Sequence, residues 1–330
     1  MKKTVELPLI EPMYATYHNG IVTACLADNI TLRNAYLNEV GILVCNKKFL
    51  TGYTSPEINV EGTEIDDAFF LTKQWISMLP LKSQLNAVIR NLIDDGFYVH
   101  YSGVDDYFMD GKSWYEERHF SHDGTICGYN QEDKTFCIYA YDKDWVYRKF
   151  WVPQKSFDAG RKYAFEHGVN GSIWGMKPKG EKIEFSASKA LILIKDYLDS
   201  NIKKYPEKGD GNVRGIVVHK YIVKYLDKLC DGSIPYEKMD WRVFRMIWEH
   251  KKVMLERIKC IENQLGMNSE ISDEYKNIVD AANKMRMMYA LLQTKKRESI
   301  LQSLQIKLII LSDGEYKILK DLLKKVKKLV

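Results

Sequence analysis

Between residues 96 and 153 short aromatic stretches alternate with turn residues, and this alternation sets the first element predictions. Thr125, Cys127 and Tyr129 alternate with Ile126 and Gly128, the period of a strand. "NQED" then supplies turn residues, and "TFCIYAYD" reads as a second strand rich in aromatic and β-branched side chains. With "GFYVHYSGVDDYF" before them and "VYRKFWVP" after, these stretches predict an antiparallel meander. Upstream, "DDAFFLTKQWISMLPLKSQLNAVIRNLIDDG" has a helical pattern in which Pro80 marks a break or a new helix start. Glycines cluster in "EHGVNGSIWGMKPKGEK", which predicts irregular structure.

From about residue 186 the period changes to that of helices. "SASKALILIKDYLDSNIKKY" opens on a serine cap and carries Leu191, Ile194, Tyr197 and Leu198 on one face. "DWRVFRMIWEHKKVMLERIKCIENQL" starts at the cap candidate Asp240, with Phe244, Ile247, Met254, Ile258 and Ile261 at helical spacing. A long helical stretch follows, and Ser312 three residues before Glu315 predicts a fresh helix start. The pattern therefore predicts an α+β head with an antiparallel sheet over residues 1–160 and an all-helical body over 161–330.

Composition narrows the chemistry. The net charge of +5 is small beside 49 basic and 44 acidic residues, so charge calls for no nucleic-acid partner. "MKKTVELPLIEP" lacks the apolar core of a signal peptide, and no apolar run approaches the roughly 20 residues that span a bilayer. Six cysteines, at 25, 45, 127, 137, 230 and 260, lack the CxxC spacing of a zinc site and the pattern of a secreted disulfide framework. Neither HExxH, a P-loop nor a dinucleotide fingerprint is present. The expectation is a cytoplasmic protein with buried thiols, no membrane contact, no metal and no cofactor.

His122 heads the first strand of the hairpin, and Asp142 ends the second. Antiparallel pairing would bring the two together, and a carboxylate beside an imidazole fixes its tautomer and stabilises its charged form. Asp123 and Asp144 are alternative acids. A nucleophile is sought in "EPMYATYHNGIVTACLADNITLRN", where Cys25 is the one cysteine. A helix starting near Asn19 would bury Cys25 on its apolar face with Ile21, Val22 and Leu26; one starting near Ala24 would put Cys25 at its positive end, which favours a thiolate.

"LPLIEP", "VDDYFMDGKSWYEERHFSHDGTICGYNQEDKTFCIYAYDKDW" and "FWVPQKSF" together resemble the proteins related to the N-terminal domain of butirosin biosynthesis protein H. These belong to the papain-like, bacteriocin-processing-peptidase-like superfamily and accompany nonribosomal peptide and related natural-product pathways. The resemblance is greatest over residues 95–160, weaker over 7–45 and architectural in the helical body. It implies a papain-like head whose cysteine takes an acyl group from a carrier-protein thioester and passes it to a small amine, forming an amide. Carried over to this chain, it implies Cys25 as nucleophile, His122 as base and acid, and Asp142 as the orienting acid. The family often has cysteine at the helix start, where this chain has Thr16, Tyr17, His18 and Asn19. Either Cys25 serves, or the thiol is lost and the protein binds an acyl intermediate or carrier protein without reacting. The helical body is expected to complete the substrate cleft, which restricts access and disfavours proteolysis.

Structural readings stand beside these. His119 is expected to hydrogen-bond to backbone, His100 to be a half-buried strand residue and His250 to bond between helices. Trp145, Tyr147, Phe150 and Trp151 suit a sheet core or the wall of an acyl pocket. The six lysines between Lys317 and Lys328 read as a solvated helix end, or as a surface for an acidic carrier protein.

Overall fold

The computed structural model describes residues 3–9, 30–62, 70–72, 75–144, 146–180, 182–200, 211–295 and 297–328. In chain order the elements are β1 (Thr4–Glu6), α1 (Ile30–Glu39), β2 (Val40–Asn46), β3 (Asn59–Gly62), β4 (Phe70–Thr72), β5 (Ile76–Ser77), α2 (Leu85–Asp94), β6 (Tyr98–Asp105), β7 (Ser121–Asn130) and β8 (Thr135–Tyr141). They continue with β9 (Tyr147–Pro153), α3 (Gln154–Glu166), β10 (Ser172–Pro178), α4 (Ala187–Asp199), β11 (Asn212–Arg214), α5 (Val218–Cys230), α6 (Val243–Gln264), α7 (Glu270–Ala290) and α8 (Glu298–Val326). The architecture is mixed, with helices and antiparallel sheets. It divides into two compact units, one formed by the described residues of 1–30 and 66–182, the other by those of 31–65 and 183–330.

The first unit is built on a sheet in the order β4-β10-β6-β7-β8-β9, with β1 added to β7 and β5 to β10. The meander of the sequence is present, since β6, β7, β8 and β9 pair in succession. Two expectations change. The glycine-rich stretch forms β10, whose Trp174 pairs with His100 of β6. In the stretch read as helical around Pro80, a helix does start after that proline, at Leu85, but before it Phe70–Thr72 and Ile76–Ser77 are short strands on β10. Leu85, Ile89, Leu92 and Ile93 give α2 an apolar face at helical spacing. They join Val99, Tyr101, Val104, Ile126, Phe136 and Ile138 from the sheet in one core. Phe157 of α3 fills its centre, edge-on to Tyr101 at 5.2 Å and to Phe136 at 5.6 Å. Gly160 sets how near α3 comes: a Cβ there would lie 2.7 Å from the Asp105 carbonyl oxygen.

The second unit holds the sheet β11-β2-β3 together with α1 and α4 to α8. The described residues of 31–65 belong here rather than to the head that the sequence placed over 1–160. All seven residues of β2 are buried, and α4, α5 and α6 pack on it. Ser186 caps α4 as expected, its hydroxyl accepting the Lys189 N–H. Arg257 of α6 is fully buried and donates to the carbonyls of Leu37 (2.7 Å), Tyr36 (3.2 Å) and Val40. A cation thereby meets the carbonyls that the end of α1 leaves without helical partners.

Ser312 does not start a helix. One 29-residue helix, α8, runs through it. Glu315 is instead fully buried, ion-paired with Lys251 at 2.7 Å and bonded to the hydroxyls of Tyr197 and Tyr275. The apolar stripe of α6 finds its partner within the unit: Phe244, Ile247 and Met254 are buried, and Phe244 lies 4.8 Å from the Tyr289 ring of α7.

Candidate active site around His122

β6 reaches this region with its pairing to β7 shifted between Tyr101 and Val104. Pairing resumes with Val104 opposite His122 and Asp105 opposite Ser121. The irregularity brings two consecutive aspartates to the strand end. Asp105 Oδ1 accepts the Tyr107 N–H at 2.9 Å, capping the short 3-10 turn Asp106–Phe108. That turn buries Asp106, which is 2% exposed.

His122 Nδ1 lies 3.3 Å from Asp106 Oδ2, and the imidazole keeps 38% of its surface exposed. The other oxygen of Asp106 lies 3.2 Å from Lys112 Nζ. Lys112 is itself buried, donates to the Asp123 carbonyl at 3.2 Å and approaches His122 Nδ1 at 3.5 Å. Its ammonium offsets the charge that Asp106 carries into the interior. In the tautomer whose Nδ1–H faces Asp106, Nε2 keeps its lone pair, and that nitrogen can take or return a proton.

Tyr101 lies beneath this group. Burial, followed by the charges of Asp106 and Asp123, pushes its phenol well above the ordinary 10, so it stays protonated. A Cβ on Gly124 would lie 2.5 Å from the phenol oxygen, so glycine makes room for it. That hydroxyl has no hydrogen-bond partner among the described residues.

The carboxylate that the structure places on His122 is therefore Asp106, not Asp142. β7 and β8 do pair antiparallel, with Thr125 opposite Tyr139. Asp142, however, closes the β8–β9 turn by accepting the N–H groups of Asp144 and Val146, each at 2.9 Å, and it pairs with Arg148. Its backbone bridges to Lys112, and its carbonyl accepts the Ser113 hydroxyl at 2.7 Å. Asp144 also binds Arg148, at 2.7 Å, and Asp123 serves Lys112 through its carbonyl. The sequence signal for Asp106 was the pair of acids after the alternating "YVHYSGV"; that for Lys112 was a lysine in a turn.

Cys25 lies outside the described residues. Of the other cysteines, Cys127 and Cys137 are buried within the sheet, and burial pushes the Cys45 thiol up to about 12. Burial also raises Cys230 and Cys260. Cys45, Cys230 and Cys260 are therefore the reverse of an activated nucleophile, whose pKa is lowered.

His119 meets Asp105 Oδ2 at 3.4 Å, not backbone, and stacks between Tyr107 at 4.3 Å and Tyr163 at 4.0 Å. His100 is 3% exposed and lies edge-on to Trp75 and Trp174. Tyr147 lies edge-on to Tyr139 and Tyr141, Phe150 packs on the core and Trp151 is exposed. Trp145 falls outside the described residues. Among the described residues no three His, Cys, Asp or Glu side chains are grouped to hold a metal ion, and no helix is long and apolar enough to cross a membrane.

No family model and no curated protein matches the chain.

Proposed function

We propose that the chain is an amide-forming acyltransferase of specialised metabolism, acting through an acyl-cysteine. The observation that carries this reading is the half-exposed imidazole of His122, held at Nδ1 by an interior carboxylate that is itself held by Lys112. Half-exposed, the ring can meet a reactant, and its buried partner fixes its orientation. The resemblance of residues 95–160 to the butirosin biosynthesis protein H N-terminal family adds the substrate class, a carrier-protein thioester, and the papain-like identity of the head.

In the proposed reaction the Cys25 sulfur gives its proton to His122 and attacks the thioester carbonyl. The carbon–sulfur bond to the carrier breaks, and the carrier thiol leaves with the proton from His122. The amine then attacks the acyl-cysteine and loses its proton to His122. Collapse forms the amide and returns the proton to Cys25. A thiolate is required because a neutral thiol attacks a thioester poorly.

Incubation with a small acyl thioester, followed by intact mass, tests this. The wild type gains one acyl mass, Cys25→Ser gains none, and His122→Ala loads more slowly by about two orders of magnitude or more. Product formed by Cys25→Ser at the wild-type rate would refute the acyl-cysteine. A wild type that binds the thioester without loading would favour the second reading, an inactive relative that binds an acyl intermediate or carrier protein.

A further inference from the structure

Two consecutive aspartates and two nearby histidines sort into two pairs at the end of β6. Asp106 lies 3.3 Å from His122 and Asp105 lies 3.4 Å from His119, with both carboxylates buried and both rings part-exposed. The second pair is tied to the backbone that carries the first. Asp105 Oδ1 accepts the N–H groups of Tyr107 at 2.9 Å and Phe120 at 3.4 Å, while Oδ2 faces His119 Nδ1. The Asp106 N–H donates in turn to the Phe120 carbonyl at 2.9 Å. The His119 ring is clamped on both faces, 4.3 Å from Tyr107 and 4.0 Å from Tyr163 of α3, with planes within 25° and 10° of parallel. Tyr163 stacks on His167 at 3.9 Å, and Phe157 and Gly160 seat α3 against the sheet. The turn Asp106–Phe108 is thereby braced from the strand on one side and from α3 on the other.

That bracing bears on where His122 keeps its proton. Nδ1 of the ring meets two groups of opposite demand at nearly equal distance. Asp106 Oδ2, at 3.3 Å, accepts only; the Lys112 ammonium, at 3.5 Å, donates only. Matched to Asp106, Nδ1 holds the proton and Nε2 is free to act as a base. Matched to Lys112, Nδ1 becomes the acceptor and the proton sits on Nε2, which can then take none. Lys112 is anchored to the Asp123 carbonyl at 3.2 Å, so the position of Asp106 decides the contest. A turn that let Asp106 drift by a fraction of an ångström would hand Nδ1 to Lys112.

We propose that Asp105 and His119 are positioning residues for His122: by bracing the turn Asp106–Phe108 they keep Asp106 on Nδ1 and leave Nε2 ready to take a proton. The role rests on the reading of His122 as the reacting base, and it is exerted through Asp106 rather than on the reactants.

Nitrogen NMR of the histidine rings in the full chain, in alkaline buffer where an imidazole is neutral, reads the tautomer directly. The His122 signals are identified by their loss in His122→Gln. The wild type should show His122 with Nδ1 protonated. His119→Phe keeps a ring between the two tyrosines but loses the nitrogen that faces Asp105, and Asp105→Ala removes the acceptor of the Tyr107 N–H. Both should shift His122 toward the Nε2–H form, as Asp106→Asn does. Acyl loading should fall about 10- to 100-fold in the same two variants, the cost of a misplaced group. Should Asp105→Ala fail to fold, Asp105→Asn takes its place, since it keeps an acceptor for the turn and loses only the charge facing His119. His167→Ala, which removes the outer ring of the stack, should leave the His122 tautomer as in the wild type and so separates positioning from general loosening. The proposal is overturned if the wild type already holds the Nε2–H form, if His119→Phe keeps the wild-type tautomer, or if His167→Ala shifts it as far. A wild type that never loads an acyl group overturns the acyl reading alone, because the spectra need no substrate.

Discussion

Asp142 and Asp106 are both buried aspartates at strand ends, and their neighbours separate their roles. Asp106 faces an imidazole and an ammonium, whereas Asp142 accepts two turn N–H groups and a guanidinium. On the proposed reading, Asp106→Asn slows acyl loading about 10²- to 10⁴-fold through loss of the orienting charge. Asp142→Asn keeps loading within a few-fold and lowers stability. Single-turnover loading rates read beside urea midpoints check this; equal loading by the two variants would sink the assignment.

A second residue-scale prediction concerns His250 and His219. Burial, and next the charge of Lys251, hold both well below the ordinary 6.5. Both are neutral in the folded protein, so below about pH 6.5 the unfolded chain binds more protons than the folded one. Their contribution is complete above that pH and declines as pH falls from 6.5 toward the depressed folded values. The urea midpoint should therefore drop between about pH 7 and about pH 5, before most carboxylates titrate. His250→Gln, which can still donate to the Gly41 carbonyl that His250 contacts at 2.9 Å, should flatten part of that slope. An unchanged slope would remove His250 from the account.

At the scale of elements, the junction of α4, α6, α7 and α8 is an ion pair in the core. Lys251 and Glu315 are wholly buried, and Tyr197 and Tyr275 satisfy the carboxylate. Such a pair adds little net stability, but breaking it strands a charge in the interior. Glu315→Gln should cost about 3–5 kcal/mol, while Lys251→Met with Glu315→Leu should cost much less than the sum of the single changes. A double-mutant cycle in urea measures the difference, and additive losses would contradict the pairing. This is also why the capping pattern at Ser312 misleads. The sequence shows Glu315 at the right spacing for a cap, but the side chain is drawn inward by Lys251, and the helix continues.

At the scale of the whole molecule, the chain does not fold in two consecutive halves. The described residues of 31–65 join the helices of 183–330, and β2 supplies a fully buried strand on which α4, α5 and α6 pack. A fragment of residues 161–330 lacks that strand and the α1 carbonyls that receive Arg257. It should lack cooperative unfolding and bind hydrophobic dyes. Supplying residues 31–65 as a second peptide should restore a melting transition. A fragment 161–330 that melts cooperatively by itself would contradict this division.

The features legible along the chain were local. Period-two alternation and turn residues specified β6 to β9, and helical spacing with Ser186 specified α4 and the apolar face of α6, because backbone geometry alone sets those periods. The sequence also singled out His122 as a strand-end imidazole. Which carboxylate meets it was decided only by tertiary structure. Asp106 lies 16 positions before His122 and reaches it because β6 pairs with β7 across an irregularity that no periodicity records. The same holds for Glu315 and Lys251, 64 positions apart. Such partners are chosen by the burial of charge, and burial depends on how remote elements pack rather than on the residues beside them in the chain.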